Sequence, residues 1–91
     1  MEVVRSIALS NKYGLHARAS TRLAQTAKQF QSSIRLSRMT GEEAVDAKSI
    51  LAILTLGVER GQTLEIRAEG DDAEQAMTAV IQLIEQNFGE E

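Results

Sequence analysis

The segment Asn11 to Ser20, NKYGLHARAS, carries the only histidine of the chain, set after a glycine turn and before a helix-forming run. Arg18 stands two residues beyond His16. If His16 opens a helix, the first backbone N–H groups of that helix have no intrahelical partner and lie close to its ring. Those donors and the positive end of the helix dipole form a site for an anion such as phosphate. The same dipole disfavours imidazolium, which favours the neutral ring with its nucleophilic nitrogen at physiological pH. The Arg18 guanidinium can reach the same anion through charge-assisted hydrogen bonds, and Gly14 permits the sharp turn that precedes the histidine. A nucleophile, an oxyanion cradle and a cation are most of what phosphoryl transfer requires, because its loose transition state is stabilised by positioning and charge. The plainer reading of the same residues is a helix cap or a satisfied polar group.

Other ingredients of phosphate chemistry are missing from the sequence. It has no glycine-rich nucleotide loop and no evident carboxylate arrangement for magnesium. Such a chain would accept a phosphoryl group from one partner protein and pass it to another. With no cysteine and one histidine, thiol chemistry and a two-histidine metal site are excluded, and neither a metal nor a cofactor is expected. A net charge of -3 argues against nucleic-acid binding, which depends on a basic surface. Tyr13, Phe30 and Phe88 are the only aromatics, too few for a base-stacking platform. The start MEVVRSIALS lacks the basic and apolar runs of a secretory signal, and nowhere is there an apolar stretch long enough to span a membrane. A cytoplasmic location without membrane contact is the expectation.

The elements that must position His16 follow from periodicity. Val3 to Leu9 alternates as a half-buried strand, with Val3, Ile7 and Leu9 on one face. Ala17 to Phe30 reads as an amphipathic helix whose inner positions are Leu23, Ala24, Ala27 and Phe30, with small Ser20 before them and Arg18, Arg22, Gln25 and Lys28 outside. Ser33 to Arg38 alternates again, Ile34 and Leu36 inward and Ser33, Arg35 and Ser37 outward; Thr40-Gly41 turns the chain into a short strand through Val45 and Ala47. KSILAILTLG is read as a short helix capped by Ser49 and stopped by Gly57. Thr63 to Ala68 is a strand with Leu64 and Ile66 inside. Gly70-Asp71-Asp72 is a turn and cap before a last helix with the stripe Ala76, Met77, Val80, Ile81, Ile84 and Phe88. The tail GEE is expected to fray. Ninety-one residues suffice for one modest core, so residues 1–91 are expected to form a single α+β domain with helices on one face of a sheet.

Two blocks carry a family resemblance that covers nearly the whole chain. GLHARAS, residues 14–20, resembles the active-site motif of the HPr family, the histidine phosphocarriers of the bacterial phosphoenolpyruvate-dependent phosphotransferase system. AKSILAILTLG, residues 47–57, resembles the regulatory-serine segment of that family. The resemblance implies an open-faced β-sandwich, a four-stranded antiparallel sheet covered on one face by three helices (βαββαβα). It implies that His16 is phosphorylated on Nδ1 by phosphorylated enzyme I and passes the group to enzyme IIA-type acceptors, with Arg18 and the helix start at Ala17 holding the phosphate. The chain would be a phosphoryl carrier with a transient phosphohistidine rather than an independent enzyme, and a monomer. Ala19 departs from the proline often found there, at the expense of some rigidity at the helix start.

Ser49 matches the serine that a dedicated HPr kinase/phosphorylase modifies in many members, and it is also an ordinary N-cap. The two roles are compatible. Ile50, Leu51 and Leu54 match the partner-docking patch, and a helix this apolar on nearly every side cannot bury all its faces, so Leu51 and Leu54 are expected to be exposed. The alternatives are a nitrogen-related paralogue, a purely regulatory module acting through Ser49 by protein binding, and an unrelated interaction domain in which His16 is only a cap. The presence of His16 speaks against the purely regulatory one.

Overall fold

Alternating apolar residues produce strands β1 (Glu2–Ala8), β2 (Ser33–Arg38), β3 (Val45–Asp46) and β4 (Thr63–Glu69) in a computed structural model that describes residues 1–38 and 43–90. The sheet order is β1-β4-β2-β3, and every neighbouring pair is antiparallel. β1 and β2 therefore run parallel with β4 between them, joined by helix α1 (Ala17–Ala27). β3 and β4 run parallel with β2 between them, joined by helix α2 (Ile50–Leu56). Helix α3 (Ala73–Glu85) follows β4 and packs on β1 and β4. The result is the expected open-faced β-sandwich, with all three helices on one face. Among the described residues no helix is long and apolar enough to cross a membrane.

Register decides which side chains meet the helices. Ile34 lies opposite Ala68 and Leu36 opposite Ile66, and these four with Val3 and Leu64 are buried on the helical face. Leu23 of α1, Ile53 of α2 and Val80 and Ile84 of α3 close over them. Each such large apolar side chain contributes about 1.5–3 kcal/mol by leaving water. Alanines at 19, 24 and 27 keep α1 close to its neighbours, and buried Ser20 satisfies its hydroxyl by donating to the Leu15 carbonyl at 3.2 Å.

Several sequence expectations need correction. α1 stops at Ala27 rather than Phe30, because the amides of Gln29 and Phe30 bond to the carbonyls of Thr26 and Ala27 in tightened turns. Phe30 is left half-buried, and Lys48 Nζ caps its carbonyl at 2.8 Å. Ser37, expected to face outward, is almost fully buried and donates to Glu65 Oε1 at 3.3 Å: a short side chain between strands is covered by its longer neighbour. The short strand ends at Asp46, with Ala47 already in the core, and β4 runs one residue further than expected. The expected turn at Thr40-Gly41 lies outside the described residues.

Asp72 opens α3 without capping it. Its carboxylate accepts instead from the Gln31 and Ser32 amides, both at 2.9 Å, and from Ser32 Oγ, tying the end of α1 to the start of α3. The Ser32 hydroxyl and the Gln31 amide hold the Asp72 carboxyl below its ordinary pKa of 3.8. Gly70 is required beside it, since a Cβ there would stand 2.5 Å from Ser32 Oγ.

The last turn differs most from expectation. Phe88 is not on the α3 stripe, because the helix ends at Glu85 and a short 3₁₀ turn covers Asn87–Gly89. Asn87 and Phe88 both adopt left-handed backbone, φ 55° and 59°, at roughly 1–3 kcal/mol each. Fully burying the Phe88 ring offsets most of this, and two hydrogen bonds add to it: Ser10 Oγ donates to Asn87 Oδ1 at 2.7 Å, and Arg22 donates to the Phe88 carbonyl. Arg22 is thus a half-buried clamp rather than an outer-face residue, and the tail through Glu90 is docked rather than frayed.

Candidate functional site

Gly14 sets the approach to the site. Its φ is +63°, and a Cβ would fall 2.6 Å from the Val58 carbonyl oxygen and 2.8 Å from Glu59 Cα, so no other residue fits this turn without displacing backbone. The Leu15 amide then bonds to the Val58 carbonyl at 3.0 Å, and buried Leu15 locks the loop to the core. His16 follows in extended conformation as the N-cap of α1.

Both ring nitrogens of His16 are engaged, in different ways. Nδ1 accepts from the Arg18 backbone N–H at 3.2 Å, so this nitrogen holds a lone pair and no proton. Nε2 therefore carries the proton, and it donates to Glu90 Oε2 at 2.5 Å. The side chains are 29% and 14% exposed, so the ring is reachable while its carboxylate partner is well covered. Asn11, buried, holds that carboxylate from the other side: its Nδ2 donates to Glu90 Oε1 at 3.2 Å and to the Gly14 carbonyl at 2.8 Å. The Tyr13 ring meets the His16 ring edge-on at 5.8 Å, and Lys12 Nζ lies 5.3 Å from the Tyr13 centroid.

An open depression of about 810 Å³ surrounds the ring, lined among others by Lys12, Arg18, Arg60 and Glu90. Three cations against one carboxylate suit an anion. A phosphoryl group would fill only a small part of this volume, leaving the remainder for a docked protein surface. Ala17, exposed and small, leaves the first turn of α1 uncovered, and the Arg18 side chain is exposed beside it. The arrangement presents a lone pair at the positive end of a helix, within reach of backbone donors and a guanidinium: the components of phosphoryl transfer to nitrogen.

The other anticipated residues stand apart from the depression, on α2. Ser49 is its N-cap, accepting from the Ala52 amide at 3.2 Å, and Gly57 ends it in left-handed conformation. Leu51 is 72% and Leu54 38% exposed, as expected, and Ile50 is also at the surface, while Ile53 and Leu56 face the core. Sequence reasoning missed Glu90, Asn11 and Arg60. Glu90 reaches His16 across 74 residues, and no local pattern could have signalled it. Asn11 lies in the turn the sequence marks, but its two-way bond depends on the tail.

Comparison with known proteins bears on the same residues. The family model for the PTS HPr component phosphorylation site matches residues 3–86. The chain is 43% identical over 86 residues to a phosphocarrier protein HPr of Cupriavidus necator, covering 94% of each. It is also 42% identical to part of a multiphosphoryl transfer protein of Haemophilus influenzae, spanning 97% of this chain but 18% of that one. The crystal structure of HPr-C-His from Thermoanaerobacter tengcongensis superposes with a TM-score of 0.88 at 45% identity, covering 100% of this chain and 98% of that one. A phosphorylation-site family model over most of the chain and homologues of nearly equal length agree with a fold built around one presented histidine: the chain belongs to the HPr family, the phosphocarriers of the phosphotransferase system.

Proposed function

We propose that residues 1–91 act as one HPr-like domain in which His16 accepts a phosphoryl group on Nδ1 from phosphorylated enzyme I and passes it to an enzyme IIA-type acceptor. The observation that carries this reading is the unprotonated Nδ1 seated at the N-terminus of α1. Its lone pair attacks phosphorus in line with the departing donor atom, and the Ala17 and Arg18 amides with the Arg18 guanidinium receive the phosphoryl oxygens. No group on this chain supplies the phosphoryl itself, so the protein is a carrier rather than an independent enzyme, working as a cytoplasmic monomer that docks each partner in turn. The exposed Ile50, Leu51 and Leu54 offer those partners an apolar surface. Incubation with phosphoenolpyruvate and enzyme I tests this: the expected product carries an acid-labile, base-stable phosphate on His16, and a label found on any other residue rejects the assignment.

Ser49 adds a regulatory reading. Its hydroxyl opens α2 beside the exposed Leu51, where a phosphate placed by an HPr kinase/phosphorylase would bring a charge of about -1.5 to -2. A helix N-terminus tolerates that charge, whereas an acidic or apolar partner surface does not. Modification at Ser49 would thus leave the fold intact and hinder docking.

A further inference from the structure

The turn before β4 is fixed against the loop that presents His16. Its backbone closes with the Gln62 amide donating to the Glu59 carbonyl at 3.0 Å, and Gly61, at φ +87°, takes the left-handed place that a type II turn reserves for glycine. The Gln62 side chain accepts from the Glu59 amide at 2.8 Å, and the Gly61 amide donates to the Leu9 carbonyl at 2.8 Å. On the other side the Leu15 amide donates to the Val58 carbonyl, and Gly14 sits so close to Val58 and Glu59 that no Cβ fits between the two segments. Arg60 thus stands at a place set by this chain rather than by a docked partner. Its side chain leaves the tip of the turn and lines the depression around the His16 ring.

The cations of the depression differ in what already engages them. Lys12 Nζ lies over the Tyr13 ring, whereas among the described residues neither the Arg18 nor the Arg60 guanidinium has an ion pair or a hydrogen bond. A phosphoryl group carries a charge of about -1.5 to -2 on three acceptor oxygens, more than one guanidinium balances. Resting on the reading of His16 as phosphoryl acceptor, we infer that Arg60 is a second phosphoryl-binding residue: it holds the oxygens from the turn, while the Arg18 guanidinium and the amides at the start of α1 hold them from the helix. As the Nδ1–P bond forms from the ring lone pair, the bond from phosphorus to the donor atom breaks and its electron pair leaves with the donor. The Nε2 proton stays on the ring. Arg60 gives up no proton; its N–H groups donate to the phosphoryl oxygens throughout, as a planar fork suited to two of them at once.

The test separates contact with the phosphoryl group from contact with a partner by using two donors on the full chain: phosphorylated enzyme I, and phosphoramidate, a small anion whose nitrogen leaves as ammonia with the P–N electron pair. The chain has one histidine, so any phosphohistidine formed is at position 16. Arg60→Met removes the guanidinium, Arg60→Lys keeps its charge without the fork, and Arg5→Met, at an exposed arginine of β1 outside the depression, removes the same charge elsewhere. Wild type and Arg5→Met are expected to label at the same rate. Arg60→Met should label about tenfold more slowly with either donor, and Arg60→Lys should fall between the two. Melting temperatures should agree, because the turn is closed by bonds that do not involve the Arg60 side chain. A wild-type rate from phosphoramidate in Arg60→Met overturns the inference, even if transfer from enzyme I slows, since that pattern makes Arg60 a docking residue. Equal slowing in Arg5→Met also overturns it, by reducing the effect to net charge. Wild type left unlabelled by both donors rejects His16 as the acceptor, and the role of Arg60 with it.

Discussion

The starts of α1 and α2 solve one local problem with different side chains. Each helix begins at an extended residue whose side chain accepts a backbone N–H: His16 from Arg18, Ser49 from Ala52. At Ser49 the side chain has a single polar atom, which accepts the cap bond and meets no partner from far along the chain among the hydrogen bonds of the described residues. The imidazole has a second nitrogen, and the tail brings Glu90 to it while Lys12, Arg18 and Arg60 line the space around it. What separates the two caps is their long-range surroundings. α3 makes the same point in reverse: Asp72 occupies the cap position, yet its carboxylate serves a neighbouring turn.

Substitution can break or sharpen this contrast. His16→Ala should abolish the phosphohistidine label completely and cost the fold only the cap, about 1 kcal/mol; residual label at its normal level would erase the distinction between the two helix starts. Gly14→Ala forces a Cβ against the Val58 and Glu59 backbone in left-handed conformation. It should destabilise the protein by about 2 kcal/mol or more, a fall in melting temperature of roughly 10 °C. A denaturation curve matching wild type would show that the loop presenting His16 is not pinned to the core.

Ser49→Asp retains a good N-cap and adds a charge, so it should fold normally yet slow phosphoryl transfer by about tenfold, the equivalent of ~1.4 kcal/mol in docking. Ser49→Ala should do the opposite, transferring normally while losing about 1 kcal/mol of stability. Identical transfer rates in the two variants would remove α2 from the docking surface. The smallest effect is expected at Asp72. Because folding lowers its carboxyl pKa below 3.8, its contribution is complete above that value and fades as pH falls through the folded one. Asp72→Asn should therefore melt below wild type at about pH 7 and converge with it towards about pH 2; an equal gap at both would mean the clamp does not depend on charge.

The sequence made His16, Arg18 and the helix behind them legible because a glycine turn, a capping position and three-and-four periodicity are short-range signals, each contained within a few residues. Ser49 and Gly57 delimit α2 for the same reason, and the exposure of Leu51 and Leu54 follows from a helix apolar on more faces than it can bury. Where the sequence misled, the deciding partner came from far along the chain. Asp72 has the composition of a cap, but Ser32, 40 residues away, offers it better donors. Phe88 fits the α3 stripe by spacing, but the core accepts its ring only when the backbone turns left-handed, and that turn converts an apparently loose tail into a docked one.

Local chemistry along the chain thus determined which nitrogen-bearing side chain is offered at a helix start and which segments are strands and helices. Tertiary structure alone decided what the second ring nitrogen meets: the local cap bond from the Arg18 amide leaves Nδ1 its lone pair, and Nε2 then finds a carboxylate 74 residues away. Periodicity is a property of neighbours, and hydrogen bonds between residues 16 and 90 exist only after the core has closed around Phe88.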